Sequence, residues 1–394
     1  MLAAAFLFML QSCKKDDSDS TDPAATAVSD NELRTMISEN GANPDEADVK
    51  TNEDEARRRA GTLYTESNAT AQNEIIVLRQ HANGSLMQTG TVASGGNGTG
   101  MGLGSQGAVA LSDNREWLIA VNAGDNSISS FHIDHQGMPT LVSTTSSMGD
   151  MPVSVDIRYN LVYVVNATSA NIAGFEMSST GMLTPIAGSV HPLSSTTAGP
   201  AQISFSPGGS KLLVTEKMTN KIAIFNVVNG VAQAGTFVNS TGVTPFGYDF
   251  ARNFMIVSNA TGGAPNASTV TSYTGTNSGN LMAVSGAVAN NQTAACWVAT
   301  TSYGRFAYVT NTGSDNISSY YVGHNGNLHL IAGNAAATGD MPIDIVVASN
   351  NYHVYALCSA DNSIFEYKRN FWGTLNDIGS VQGIPASASG LAIR

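Results

Sequence analysis

Charge is scarce in this chain: Asp, Glu, Lys and Arg make up 12% of its 394 residues, with 18 basic side chains against 30 acidic ones. The net charge of −12 and the lack of a basic stripe argue against nucleic acid as a partner. Cysteine is nearly absent. Beyond Cys13 only Cys296 and Cys358 remain, so the main body of the chain has room for one disulfide, which the sequence neither requires nor forbids. The N-terminal apolar run, Leu2 to Leu10, is nine residues long, too short to span a bilayer. The seven histidines are scattered, and His132 and His135 have no partners at metal-ligand spacing, so neither metal nor cofactor is expected. There is no Gly-x-Ser-x-Gly elbow, no P-loop and no Cys-His catalytic pattern.

What is present is a repeat. The phrase Tyr308-Val309-Thr310-Asn311, a polar turn, then Ile317-Ser318-Ser319-Tyr320 reads as strand, turn, strand. Its Ile-x-x-aromatic anchor recurs at Ile128, Ile172, Ile222, Ile317 and Ile364, with Val270…Tyr273 a variant and Ile75…Leu78 the loosest copy, at successive spacings of 53, 44, 50, 48, 47 and 47 residues. Six residues before most anchors the preceding strand ends, at Asn122, Asn166, Glu216, Asn311 and Cys358. Asn68 stands seven before its anchor, and Asn259 eleven before across an insertion. Eight or nine residues after each anchor comes a hairpin glycine (Gly84, Gly137, Gly181, Gly230, Gly279, Gly326, Gly373), and an apolar strand follows. Four strands per unit and a period in the forties predict an all-β, seven-bladed β-propeller. The first unit, from Leu63-Tyr64, lacks an innermost strand, and the spare C-terminal strand Leu391-Ala392-Ile393 is expected to supply it.

Three segments follow. Residues 1–13 end in Leu10-Gln11-Ser12-Cys13, which resembles a bacterial lipobox, with Cys13 the lipidated residue. Lys14-Lys15-Asp16-Asp17 resembles the tract behind the lipid cysteine of exported lipoproteins. This resemblance implies an exported domain held at the outer membrane, on its periplasmic or cell-surface face, through the lipid alone. Residues 14–60, with 13 acidic and 7 basic side chains, read as a solvated acidic tether, in which Asn31–Asn40 and Glu53–Ala60 are possible short helices. Residues 61–394 form the propeller, mildly acidic at −6 and expected to be a monomer.

In a propeller the inner strands line a central channel whose mouth is the default ligand site. Alignment of the inner strands gives one ring of equivalent positions: Ala108, Ser154, Gln202, Gly247, Trp297, Asp344 and Gly390. Glu216 and Lys217 interrupt the Asn pattern beside Gln202, where a carboxylate next to a lysine suits a general base; a surface ion pair is the plain alternative. The Gly-Asp-Met-Pro turns at 149–152 and 339–342 read as interblade geometry, with Asp150 and Asp340 at the rim. The run Gly95 to Gly104 lacks the βαβ setting of a phosphate cradle and reads as an interblade loop.

These phrases, with Phe205-Ser206-Pro207-Gly208-Gly209, Gly199-Pro200-Ala201-Gln202 and Cys296-Trp297-Val298, make residues 61–394 resemble the lactonase-like seven-bladed propellers. That group holds 6-phosphogluconolactonases and carboxymuconate cyclases. The resemblance places catalytic Arg and His on Ala201 and Gln202, Glu on Lys217, and a second Arg on Ala299, so those roles stand empty here apart from the displaced Glu216. The expectation is therefore a binding propeller for a small polar ligand, glycan or protein partner, using Ser154, Gln202, Lys217, Phe246, Trp297 and Asp344. A lactone hydrolase or cyclase in which Glu216 activates water, with Lys217 and Gln202 on the oxyanion, is the alternative.

Overall fold

The computed structural model describes residues 27–39 and 61–394. Seven antiparallel sheets stand in a closed circle, five of four strands and two whose outer strand is split in two, and each inner strand contacts the next. We number the sheets as blades. Blade 1 holds Thr62–Glu66, Glu74–Gln80 and Leu86–Ala93, and blades 2 to 7 begin at Val109, Pro152, Pro200, Pro245, Ala295 and Pro342. The second and third strands of each blade are buried on both faces, because each sheet is sandwiched between neighbours; Leu118 to Asn122 are an example. The outer strands are the most exposed of each blade, as in Leu86–Ala93.

The anchors share one register. Ile128 pairs with Val121, Ile172 with Val165, Ile222 with Thr215, Ile317 with Thr310 and Ile364 with Leu357. In blade 1 the pattern shifts: Ile75 pairs with Glu66, and Asn68 lies beyond the strand end in a turn at φ +47°. Asparagine tolerates that left-handed conformation, which is why it appears there without being the strand-end residue.

The C-terminal strand Ser389–Ile393 is the innermost strand of blade 1, with Leu63 opposite Ile393 and Tyr64 opposite Ala392. All seven hairpin glycines have φ between +81° and +95°. Their carbonyls also latch neighbouring blades together. Tyr64, Tyr163, Tyr308 and Tyr355 each donate a hydroxyl to the hairpin glycine of the next blade (Gly137, Gly230, Gly373 and Gly84) at 2.6–2.9 Å. Ser130 and Ser272 do the same to Gly181 and Gly326. Buried hydroxyls need an acceptor, and the turn carbonyl is the group a β-hairpin leaves unused.

Of the segment expected as a tether, residues 30–39 form helix α1 (Asp30–Glu39), which packs on the propeller. Ser29 and Glu32 make a capping box, Glu32 N donating to Ser29 Oγ and Ser29 N to Glu32 Oε2. Leu33 and Ile37, one turn apart, are buried among Phe306, Tyr321 and Trp372, and Val28 N bonds to Leu330 O. Arg34 covers the Trp372 ring at 4.5 Å. Cys13, with the rest of the expected signal and most of the tether, lies outside the described residues. Cys296 and Cys358 are both buried, and no disulfide joins them.

Candidate functional site

Each inner strand starts on the face where the connection from the preceding blade arrives, here called the upper face. Because neighbouring strands are antiparallel, the same face carries the loops after Asn122, Asn166, Glu216, Asn259, Asn311 and Cys358. The ring positions lie at one level: Ser154, Gln202, Trp297 and Asp344 sit opposite Val165, Thr215, Thr310 and Leu357.

The mouth is not the open funnel that these residues suggest. Six of the seven connections between blades are 4–7 residues long, but the one between blades 1 and 2, residues 94–108, has fifteen. Its last part enters the channel. Ser105 Oγ bonds to Val153 O of blade 3 at 2.7 Å, and Gln106 N bonds to Ala201 O of blade 4 at 2.9 Å. The Gln106 carboxamide reaches blade 6, donating to Val298 O at 2.6 Å and accepting from Val298 N at 3.1 Å. Gly107 O accepts Val155 N at 2.8 Å. Residues 103–107 thus form a plug tied to three blades. Gly247 leaves room for it, since a Cβ there would stand 2.1 Å from Gln106 Oε1.

The physical reason lies in the inner strands. Each is an edge strand whose channel-facing amides have no further strand to pair with, and buried amides must find acceptors. The residue after each ring position carries such an amide. Val155 N goes to Gly107 O and Val298 N to Gln106 Oε1, both in the plug. Ile203 N goes to Ser154 Oγ at 3.1 Å, and Tyr248 N to Gln202 Oε1 at 2.7 Å. Ile345 N goes to Asp344 Oδ1 at 2.8 Å, and Asp344 also accepts Leu391 N across the closure. The polar ring residues are stitches between blades. A lower tier repeats the device: Asp156 accepts Phe205 N, and Asp249 accepts Thr300 N, each at 2.7 Å.

Burial pushes the carboxyl of Asp344 up to about 8 and that of Asp156 to about 6, with Asp249 raised for the same cause. Asp344 is 1% exposed and its Oδ2 has no partner. Its carboxyl is therefore held largely protonated at neutral pH.

Glu216 and Lys217 both lie at the mouth, 0% and 4% exposed. Successive side chains at a strand end diverge, and these two take different partners. The Glu216 carboxylate accepts Ser194 N at 3.0 Å, the Ser194 hydroxyl, and Thr219 Oγ1 at 2.5 Å. Lys217 crosses the Phe246 ring, Nζ 4.7 Å from its centroid, to reach Gly104 O in the plug. The Phe246 and Trp297 rings pack 4.9 Å apart, and Trp297 Nε1 donates to Ser105 O at 2.8 Å. The structure thus gathers Gln202, Lys217, Phe246 and Trp297 around the plug, with Gln202 Oε1, Lys217 Nζ and Trp297 Nε1 engaged in hydrogen bonds. Ala201 and Ala299, where the resemblance puts arginines, are small core side chains. Asp150 and Asp340 sit exposed in matching turns, their carbonyls accepting Thr168 N and Ala360 N. Gln106 and Ser105 were not among the residues singled out by sequence; the length of their connection was the available signal.

Among the described residues no group of three or more His, Cys, Asp or Glu side chains could hold a metal ion, and no helix is long and apolar enough to cross a membrane.

Fold and mouth together define a seven-bladed propeller with a plugged axial channel. The chain belongs to the lactonase, 7-bladed beta-propeller family, whose model matches residues 70–196 and 267–387. A search of curated proteins finds no match. Solved structures with the same fold include a 6-phosphogluconolactonase-like protein of Bacteroides fragilis (18% identity, TM-score 0.69, covering 89% of this chain and all of that one). Another, from Bacteroides uniformis, has 20% identity and TM-score 0.68, over 85% of this chain and 99% of its own. The periplasmic gluconolactonase of Pseudomonas aeruginosa has 17% identity and TM-score 0.69, over the same shares. At these identities the likeness is one of fold.

Proposed function

We propose that this chain is an exported propeller, tethered by a lipid on Cys13, that works as a binding module on its upper face. The observation that carries the reading is the plug. Residues 103–107 fill the mouth, and the polar ends of Ser154, Gln202 and Trp297 are engaged in tying the ring and plug together. Glu216 accepts three donors from Ser194 and Thr219, the surroundings of a structural carboxylate rather than of a base that must take up a proton. Above the plug the connecting loops expose Met101, Met148, Met218 and Met341, each 37–51% accessible. Flexible thioethers conform to many shapes, which among a small polar ligand, a glycan and a protein favours a protein partner. Export rests on the Leu10-Gln11-Ser12-Cys13 sequence.

Lactone hydrolysis is the second reading, favoured by the family and by the position of Glu216 and Lys217 at the mouth. Proton release from a panel of sugar and aliphatic lactones separates the two, run on the natural chain and on Gln106→Ala, which loosens the plug. No turnover by either supports binding; turnover that disappears in Glu216→Gln establishes hydrolysis. Radiolabelled fatty acid incorporation that is lost in Cys13→Ala tests the anchor.

A further inference from the structure

We infer that the lower face carries a second site: a cleft between blades 1, 2 and 7 that binds a phosphoryl-bearing anion. The cleft has a volume of about 460 Å³, within the range of small-molecule sites. Four separate turns and ends converge on it. Arg79 and His81 come from the end of blade 1's third strand and its hairpin, Arg115 from the first turn of blade 2, and His135 from the hairpin of blade 2. Arg394 follows the closing strand.

The charge of this cleft runs against that of the domain. Residues 61–394 hold 17 acidic and 11 basic side chains, yet three of the eleven line this one cleft and no Asp or Glu side chain does. The neighbouring Asp134 turns its carboxylate onto its own hairpin, accepting Gln136 N and Met138 N at 2.8 Å. It offers Arg394 Nη1 only its main-chain oxygen, at 2.6 Å. Among the described residues, no hydrogen bond or ion pair engages the guanidinium of Arg79 or Arg115.

Two further observations point to a ligand rather than to solvated surface charge. Arg115 stands at φ +58°, a conformation that glycine or asparagine adopts more readily, closing its turn through Arg115 N to Ser112 O. The walls are also fixed before any ligand arrives. Tyr64 pins Gly137, Gln80 bonds to Gly61 N and to Tyr355 Oη, and Arg394 N bonds to Thr62 O. Preformed walls spare a ligand the entropy of ordering them. Planar guanidinium forks on a rigid frame suit the paired oxygens of a phosphoryl group, and the two imidazoles add donors. Such a group belongs either to a soluble phosphate ester or to the headgroup of an anionic phospholipid.

The test uses the full chain carrying Cys13→Ser, so that no lipid of its own binds membranes. Calorimetric titration at low ionic strength with inorganic phosphate and glycerol 3-phosphate runs beside sedimentation with phosphatidylglycerol and phosphatidylcholine vesicles. The expected result is saturable binding that falls at least about tenfold in Arg79→Ala/Arg115→Asn, with an unchanged melting profile and no effect of Glu216→Gln. Binding of the soluble probes assigns the site to phosphate esters. Binding confined to phosphatidylglycerol vesicles, and sensitive to the same substitutions, assigns it to a headgroup. Binding that survives the double substitution, or none to any probe, overturns the proposal.

Discussion

Asp344→Asn is expected to stabilise the propeller at alkaline pH and to leave it nearly unchanged at acid pH. The Asp344 carboxyl is 1% exposed, its Oδ2 has no partner, and burial raises it to about 8. In the unfolded chain it titrates near 3.9. Below about pH 4 both states hold the proton and nothing is lost. Between about 4 and 8 the unfolded state ionises and the folded state does not, so stability falls as pH rises and levels off above 8. A separation of about four units at 1.36 kcal/mol each sets a ceiling of roughly 5 kcal/mol. Water entry and relaxation bring a buried carboxyl well below such a ceiling, so about 2–3 kcal/mol is expected. Asparagine keeps the oxygen that accepts Ile345 N and Leu391 N, and it has no charge to lose. Chemical denaturation of both proteins at pH 4.5 and 8.5 reads the difference directly. A stability difference between the two proteins that is the same at both pH values would show that the carboxyl is not held protonated, and would refute the argument.

Gln106→Ala leaves Val298 N and O without partners and is expected to cost about 2–3 kcal/mol. It also loosens the loop that caps Trp297, so acrylamide quenching of tryptophan fluorescence should rise; an unchanged quenching constant would show that the plug is held without it. Gly247→Ala puts a Cβ 2.1 Å from Gln106 Oε1 and 2.7 Å from Cys296 O, so it should destabilise by about 2 kcal/mol or more and expel the plug, giving the same rise in quenching. Leu33→Ala/Ile37→Ala removes the buried face of helix α1 and should speed protease cleavage within residues 30–39. The melting of the propeller itself should shift far less, because the ring closes through Ser389–Ile393 and not through the helix.

The repeat made the fold legible. A hairpin glycine and a β-branched anchor, followed three residues on by an aromatic or, in blade 1, by Leu78, mark every blade because the same two interfaces, strand to strand and blade to blade, recur seven times. The unpaired strand at Leu391 likewise pointed to the closure. The plug escaped that logic, since periodicity reports what recurs and residues 103–107 occur once. The length of their connection, fifteen residues where the others have 4–7, was the visible trace. The ring positions were found at the right level by alignment, but the use of their polar groups was not legible. Gln202 and Asp344 read as channel lining until the unpaired amides of Tyr248, Ile345 and Leu391 are seen to require them. Glu216 beside Lys217 in sequence suggested a pair, whereas Ser194, 22 residues away, is what holds the carboxylate.

The closure also sets a clock. Among the described strands Thr62–Glu66 comes first in the chain and its partner Ser389–Ile393 comes last. No order of blade formation can finish the ring before Ser389–Ile393 has left the ribosome, and that contact spans more than three hundred residues, which makes it slow to find. A nascent chain with this wiring keeps an open ring until that strand is made. Under the export proposed above, late closure would keep the polypeptide threadable until that strand is made.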